Sequence, residues 1–282
     1  MAVIIHIGLH KTGSSAIQQF LALNASALGS QGVFYAPTMP EWPNHSPLAD
    51  AFRIGQDSSL GERLLEDLLR RSQGRELLIS SEMFCEPQIE ASRFLDLLGD
   101  QKKKVIAYIR HPCDIVLSAF GERVKYYPNQ YTSDVNDHPL AYDPGQLDVL
   151  TTWIARNDIE LILAPYDRRQ WHGGSLCVDF LRMIGASPDQ MRANDFRVNE
   201  SLSYTSVEIL RRALLGGIEA HDFDVLLDAM MRLNFRDDRY PLTDENLQFC
   251  FERMRYCIGV YQKFFRSGFD EEFLFEPRSF RG

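Results

Sequence analysis

The stretch Val3 to Phe20, VIIHIGLHKTGSSAIQQF, restricts what this chain can fold into more than any other. Val3-Ile4-Ile5-His6-Ile7 reads as a short β-strand ending at Gly8. Leu9-His10-Lys11-Thr12-Gly13 makes a loop, and Ser14-Ser15 open a helix expected to run to about Leu28. A strand, a tight loop and a helix N-terminus form the general geometry for holding a phosphate. The first helical turn offers unpaired N–H groups and the positive end of the helix dipole. Gly13 lets the backbone approach a ligand, Ser14 and Ser15 offer hydroxyls, and Lys11 offers a mobile charge. Gly8 and Gly13 have the spacing of a nucleoside-triphosphate loop, but Lys11 precedes Gly13, and Ser14 stands where that motif places its lysine. The same residues also suit an ordinary strand–turn–helix with polar caps.

A chain of 282 residues is long enough for one large domain with a well-buried core. The formal charge of −9 argues against a general nucleic-acid binder or a protein of anionic membrane surfaces, so cationic sites must be local. Five scattered cysteines, without a CxxC, read as reduced thiols of a cytoplasmic protein and not as a disulfide framework or zinc site. No signal peptide or transmembrane-length apolar run is legible.

Strand and helix patterns alternate along the chain. Strands are expected over Gly32–Tyr35, Glu76–Ile79, Lys104–Ile109 and Ile159–Leu163, and the Lys104–Ile109 run is apolar enough for a parallel sheet covered on both faces. Helices are expected over Leu48–Ile54, Leu60–Arg71, Pro87–Leu98, Cys113–Tyr126, Leu147–Arg156 and Gly174–Ile184. From Leu202 onward the pattern is helical: Tyr204–Leu215, Asp222–Leu233 and Asp244–Phe265, the last with Cys250 and Cys257 on one face. Tyr127 to Gly145 reads as a long surface loop. The expected fold class is α/β, a central parallel β-sheet flanked by helices, with a helical C-terminal third. It is read as one domain over 1–282, with the core over 1–200 and the helical region over 201–282.

Two further constellations bear on chemistry. In Arg110 to Ser118, RHPCDIVLS, the arginine stands at the carboxyl end of a buried strand, Pro112 suits the first turn of the next helix, and Ser118 projects about two turns along it. Arg110 can fork onto a phosphate, or pair with a carboxylate such as Asp114. In Leu77 to Glu82, LLISSE, a carboxylate ends another strand. Glu82 there can take a proton from an attacking hydroxyl or cap the following helix. His45, in the proline-broken loop Met39 to Ser46, is the other candidate base, in a setting where histidines commonly face solvent.

GLHKTGSS after the first strand, with RHPCDIVLS after a later one, resembles the signature pair of sulfotransferases that use 3′-phosphoadenosine 5′-phosphosulfate (PAPS). Pro165-Tyr166-Asp167, Gly173-Gly174, Asp179-Phe180-Leu181 and Asn199-Glu200-Ser201-Leu202-Ser203 are similar to later parts of bacterial sulfotransferase domains, so the resemblance covers roughly 2–215. It implies a sulfotransferase fold like that of P-loop NTPases, PAPS as donor and 3′,5′-diphosphoadenosine (PAP) as product. It places the 5′-phosphosulfate against His10, Lys11, Thr12, Gly13, Ser14 and Ser15, and the 3′-phosphate against Arg110 and Ser118. It implies in-line attack by an acceptor hydroxyl or amine, with Lys11 stabilising the departing phosphate and no metal. By similarity to carbohydrate sulfotransferases the base is Glu82; small-molecule members use a loop histidine, which keeps His45 open. His10 is placed to line the site, whereas His6 is expected to pack along the strand. The C-terminal Lys-Gly-x-x-Gly segment of eukaryotic cytosolic members is missing, and Arg266-Ser267-Gly268 is a poor substitute.

The resemblance implies a small-molecule or carbohydrate acceptor. The loops Thr38–Ser46 and Tyr127–Gly145, with Trp42, Tyr126, Tyr127, Tyr131 and Tyr142, either line its site or pack as ordinary loops. Two other classes stay open. A P-loop kinase needs an aspartate at an apolar strand end, for which Asp167 after LILAPY is the nearest residue. A non-catalytic nucleotide-binding module would keep Arg110 and Ser118 but has no need of Lys11. The C-terminal helices could cap the acceptor site or join two copies of the chain.

Overall fold

The computed structural model describes residues 1–39, 41–127, 133–137, 148–192, 202–233, 235 and 241–276. Five strands form one parallel sheet: β1 (Ala2–Gly8), β2 (Val33–Phe34), β3 (Glu76–Ser80), β4 (Lys102–Ile109) and β5 (Ile159–Pro165), in the order β2-β3-β1-β4-β5. The α/β class with an all-parallel sheet is therefore as the sequence implied. The order turns about β1, with β2 and β3 on one side and β4 and β5 on the other. Open α/β sheets bind ligands at such a switch, outside the carboxyl ends of the strands.

The helices, in chain order, begin with α1 (Ser14–Leu23), α2 (Ala25–Ser30), α3 (Ser46–Asp50), α4 (Ser59–Ser72) and α5 (Ala91–Leu97). They continue with α6 (Pro112–Tyr126), α7 (Leu150–Ile154), α8 (Leu176–Met183), α9 (Tyr204–Leu215), α10 (Ala220–Leu233) and α11 (Asp244–Tyr261). The chain divides into two compact units. The first holds Met1–Arg110, Gly145–Val198 and Val260–Asp270, and so contains the whole sheet. The second holds His111–Pro144, Asn199–Gly259 and Glu271–Gly282.

In the first unit the period of two along β1 sends its side chains to both faces. Ile4 packs in one cluster with Leu78, Ile106 and Ala164 of the sheet, Ile17, Phe20 and Leu21 of α1, and Phe180 and Leu181 of α8. Val3, Ile5 and Ile7 alternate with it and are equally buried, as expected of a parallel sheet covered on both faces. The second unit has its own core. Cys113, Val116, Phe120 and Val124 recur at helical spacing on α6 and cluster with Val207 and Leu210 of α9, Phe223 and Met230 of α10, and Cys250 of α11.

Several element ends differ from the sequence reading, each for a visible reason. The first helix breaks at Asn24, whose side chain donates to the carbonyls of Phe20 and Arg192 and accepts from the Arg192 N–H. The helix expected from Pro87 starts only at Ala91. Residues 88–90 pair instead with the backbone of 52–54: Ile89 bridges Arg53, the Ile54 N–H donates to the Gln88 carbonyl and the Glu90 N–H to the Phe52 carbonyl. Within the expected Tyr127–Gly145 loop, residues 133–137 are anchored: Val135 is fully buried, and the Asn136 amide donates to the Pro241 carbonyl. All five cysteines are buried. Among the described residues no helix is long and apolar enough to cross a membrane.

The helix expected to reach Phe265 stops at Tyr261, because the chain then returns to the sheet. Phe265 forms a parallel bridge with Leu163 of β5, and the Arg266 N–H donates to the Leu163 carbonyl. Arg266 also reaches the fully buried carboxylate of Asp179, 2.6 Å away. That carboxylate further accepts from the Tyr108 hydroxyl at 3.0 Å and the His172 N–H at 3.0 Å. The guanidinium is thus committed to a structural pair. Replacing Arg266 by methionine leaves Asp179 as an uncompensated buried charge and should cost about 3–5 kcal/mol. Urea denaturation reads this as a lowered midpoint, and the double variant Asp179→Leu/Arg266→Met should recover much of the loss.

Candidate functional site

The carboxyl ends of β1, β3, β4 and β5 meet through named contacts. The loop after β1 holds four residues in the left-handed region: Gly8 (φ 76°), Leu9 (71°), Lys11 (66°) and Gly13 (77°). Leu9 and Lys11 have side chains, so each costs on the order of 1–2 kcal/mol there. The conformation is held by the Thr12 hydroxyl, which donates to the Leu9 carbonyl at 2.6 Å, and by Arg110 Nη1, which donates to the Lys11 carbonyl at 2.7 Å. Turns that interleave left-handed residues in this way aim backbone N–H groups into a concavity suited to anions. A side chain fits at neither glycine. A Cβ on Gly8 would lie 2.9 Å from both the Glu82 Cβ and the Ser14 Oγ, and one on Gly13 would lie 2.5 Å from Leu176 and 3.0 Å from the Tyr166 ring.

Gly13 is also the N-cap of α1, where no side chain serves the first-turn N–H groups. Ser14 Oγ is buried and makes no hydrogen bond. Uncapped N–H groups and an unpartnered hydroxyl, in a loop already holding Lys11, suit an anion. Lys11, His10 and Ser15 are half-buried, while Thr12 is fully buried.

Glu82 follows β3 and opens a short 3₁₀ turn, Glu82–Cys85. Ser81 caps that turn, its hydroxyl accepting from the Met83 N–H at 3.1 Å. Capping is therefore not the task of the Glu82 carboxylate, which accepts instead from Gln18 Nε2 on α1 at 2.7 Å. Arg110, after β4, lies with its guanidinium 5.3 Å from the centre of the Tyr166 ring, and its Nε is buried without a hydrogen bond. Tyr166, after β5, borders Gly13 as well, so one aromatic ring touches both the loop and the arginine.

His45 is fully buried, not solvent-facing. Its N–H donates to the Ser80 carbonyl at 2.9 Å and its Nδ1 accepts from the Ser80 N–H at 3.1 Å, so ring and backbone both grip the end of β3. Burial pushes its imidazole down to about 4. His6 packs inside the sheet as expected, its Nδ1 2.8 Å from the Ser80 hydroxyl, and burial pushes it down to about 3.

The remaining candidates are placed as follows. Ser118 is half-buried on α6, in the second unit. Trp42, Tyr126 and Tyr127 are exposed, whereas Tyr131 and Tyr142, like Asn199, Glu200 and Ser201, lie outside the described residues. Asp167 is tied to Arg169, whose N–H and Nε both donate to it. Among the described residues no group of three His, Cys, Asp or Glu could hold a metal ion. Sequence reasoning missed Gln18 and Asn44, and quoted Tyr166 without a role. For Gln18 a signal existed: it lies four residues after Ser14, on the same face of α1.

No protein-family model matches the chain. A curated protein of Archaeoglobus fulgidus, described as uncharacterized, is 28% identical over 138 residues, 48% of this chain; the match spans 37% of that protein's length. Among solved structures, the sulfotransferase domain of the Synechococcus PCC 7002 olefin synthase aligns with a TM-score of 0.40 and 13% identity, over 89% of this chain and 93% of that one. A structure from the PezAT chromosomal toxin–antitoxin system of Streptococcus pneumoniae aligns with a TM-score of 0.30 and 13% identity, over 89% and 87%.

The two buried imidazoles make folding sensitive to acid. Both are neutral in the folded chain and take up protons near pH 6.5 once unfolded, so the unfolded state binds more protons at lower pH. Their stabilisation is complete above pH 6.5 and is lost as pH falls from there toward 3, by on the order of 3–5 kcal/mol each. Denaturation midpoints measured across that range should fall steeply. His45→Asn, which keeps an acceptor for the Ser80 N–H, should flatten the fall.

Proposed function

We propose that this protein is a sulfotransferase that moves a sulfuryl group from PAPS to a hydroxyl or amine of a carbohydrate or small-molecule acceptor, releasing PAP. One arrangement carries this: a lysine-bearing anion loop whose Ser14 hydroxyl lacks a partner, held from the end of β4 by Arg110 whose Nε also lacks one, and packed so closely on Glu82 that Gly8 has no room for a Cβ. These groups fit a donor with an anion at either end. A cation and uncapped N–H groups meet the phosphosulfate, a guanidinium meets a phosphate, and a carboxylate stands beside them to receive a proton.

When bound, the donor supplies a sulfuryl group activated by its link to phosphate. Lys11, with Ser14, Ser15 and the N–H groups of Thr12 and Gly13, stabilises the charge that grows on the departing phosphate oxygen. Because the loop is already held by Thr12 and Arg110, those donors need little rearrangement as the charge develops. Arg110 takes the 3′-phosphate. Glu82 removes the proton from the attacking acceptor. His45 is the second candidate, disfavoured because its ring is fully buried and its Nδ1 already accepts from Ser80. In a kinase reading Asp167 would have to serve a metal, but its carboxylate is engaged by Arg169.

A thermal shift with PAP, run beside ATP–magnesium, tests the reading. Ligand at about a hundred times its dissociation constant adds roughly 2.7 kcal/mol, a rise of several degrees in Tm for a chain of this size. A rise with ATP–magnesium alone, or with neither, would overturn the proposal. Lys11→Ala should keep most of the PAP shift while donor turnover falls about 10²–10³-fold.

A further inference from the structure

We infer that Asn44 and Gln18 form a one-way hydrogen-bond relay that fixes the Glu82 carboxylate as an acceptor at one oxygen and so positions its other oxygen for proton transfer. The inference rests on the assignment of Glu82 as the base and adds two positioning residues to it.

The direction of the relay follows from chemistry at its far end. The Ser46 backbone N–H can only donate, and it meets Asn44 Oδ1 at 3.0 Å. The Asn44 amide is therefore turned with Nδ2 toward α1, 3.3 Å from Gln18 Oε1. An NH₂ group can only donate, so the Gln18 carbonyl must face it, and the Gln18 NH₂ is left facing Glu82. There Nε2 lies 2.7 Å from Glu82 Oε2, the short range of a charge-assisted bond. Flipping the Gln18 amide would set NH₂ against NH₂ at one end and oxygen against carboxylate at the other. Gln18 is 1% exposed and Asn44 7%, so water cannot substitute for the lost partners.

The segment carrying Asn44 is itself pinned. The Tyr35 hydroxyl donates to the Pro43 carbonyl, His45 grips Ser80 through its N–H and ring, and the Ser46 and Ser81 hydroxyls meet at 3.0 Å. Other titratable groups that sense Glu82 stay protonated. Burial, then the Glu82 charge, pushes the Tyr35 hydroxyl upward, and burial with Glu82 and Glu86 pushes the Cys85 thiol upward. The Cys85 thiol donates to the Ile7 carbonyl at 2.7 Å, and the His45 ring stands edge-on to Tyr35 with centroids 5.2 Å apart. Gln18 is thus the donor that meets Oε2, and Oε1 remains to receive a proton.

Side-chain amide ¹⁵N NMR on the full chain tests the relay directly. The Gln18 NH₂ signals should exchange slowly and move with pH as Glu82 titrates. Glu82→Gln should abolish that pH dependence, and Asn44→Asp, which replaces the donor by an acceptor, should collapse the exchange protection. Gln18 signals that ignore both substitutions would overturn the relay. A second arm measures PAP release from PAPS with methyl glucoside as acceptor. Gln18→Met should lower kcat about 10–100-fold, with little change in the KM for PAPS and a displaced acid limb of the pH–rate profile. A Gln18→Met protein with wild-type thermal stability, rate and pH profile would also overturn it. Full turnover in Glu82→Gln, beside a pH-sensitive Gln18 amide in the wild type, would remove Glu82 as base and leave the hydrogen-bond relay standing.

Discussion

Strand β1 is paired on both edges, to β3 and to β4, and buried on both faces. A strand so enclosed cannot drift sideways when it ends, so the chain must turn back sharply over the sheet into α1. That turn uses left-handed backbone at Gly8, Leu9, Lys11 and Gly13, and the β1–β4 register is bulged between His6 and Gly8. Strain of this kind persists only where neighbours over-determine it. Here the neighbours come from the ends of three other strands: Arg110 on the Lys11 carbonyl, Tyr166 on Gly13, Glu82 on Gly8.

The buried polar groups behind the loop are organised in the same spirit. Ser80, at the last position of β3, is held by His6 through its hydroxyl and by His45 through its backbone. Ser81 caps the next turn and touches Ser46. The end of β3 is therefore fixed before Glu82 begins, and the carboxylate inherits a defined direction. Such a network specifies a geometry because each member, once buried, must find its partner.

What was legible in the sequence is what local pattern encodes. The β1 loop, Pro112 in the first turn of α6, and α9 from Tyr204 to Leu215 stand as read, since strand alternation, helical spacing and proline all act over a few residues. What was not legible depends on partners far along the chain. Asn24 breaks the first helix to reach Arg192, 168 positions away, and Gln18 finds Glu82 at a separation of 64. His45 sits in a polar, proline-broken stretch and is nevertheless buried, because Ser80, 35 residues later, supplies a backbone pair for it. Burial of a polar residue is decided by the partner it meets, and a single sequence shows the residue without the meeting.

The return of Val260–Asp270 to the sheet unit has a bearing on how the protein is made. Asp179 and Arg266 are separated by 87 positions, and most of the intervening chain belongs to the other unit. At about 5–20 residues per second, a ribosome needs roughly 4–17 s to deliver the cation after the carboxylate has been added. During that interval the strands β1 to β5 already exist as polypeptide, but the pocket that buries Asp179 between Tyr108 and His172 has no counter-charge to close it. The sheet can assemble early; its final locking waits for a segment made much later, so completion of this unit is set by the synthesis of Val260–Asp270 and not by the emergence of its own strands.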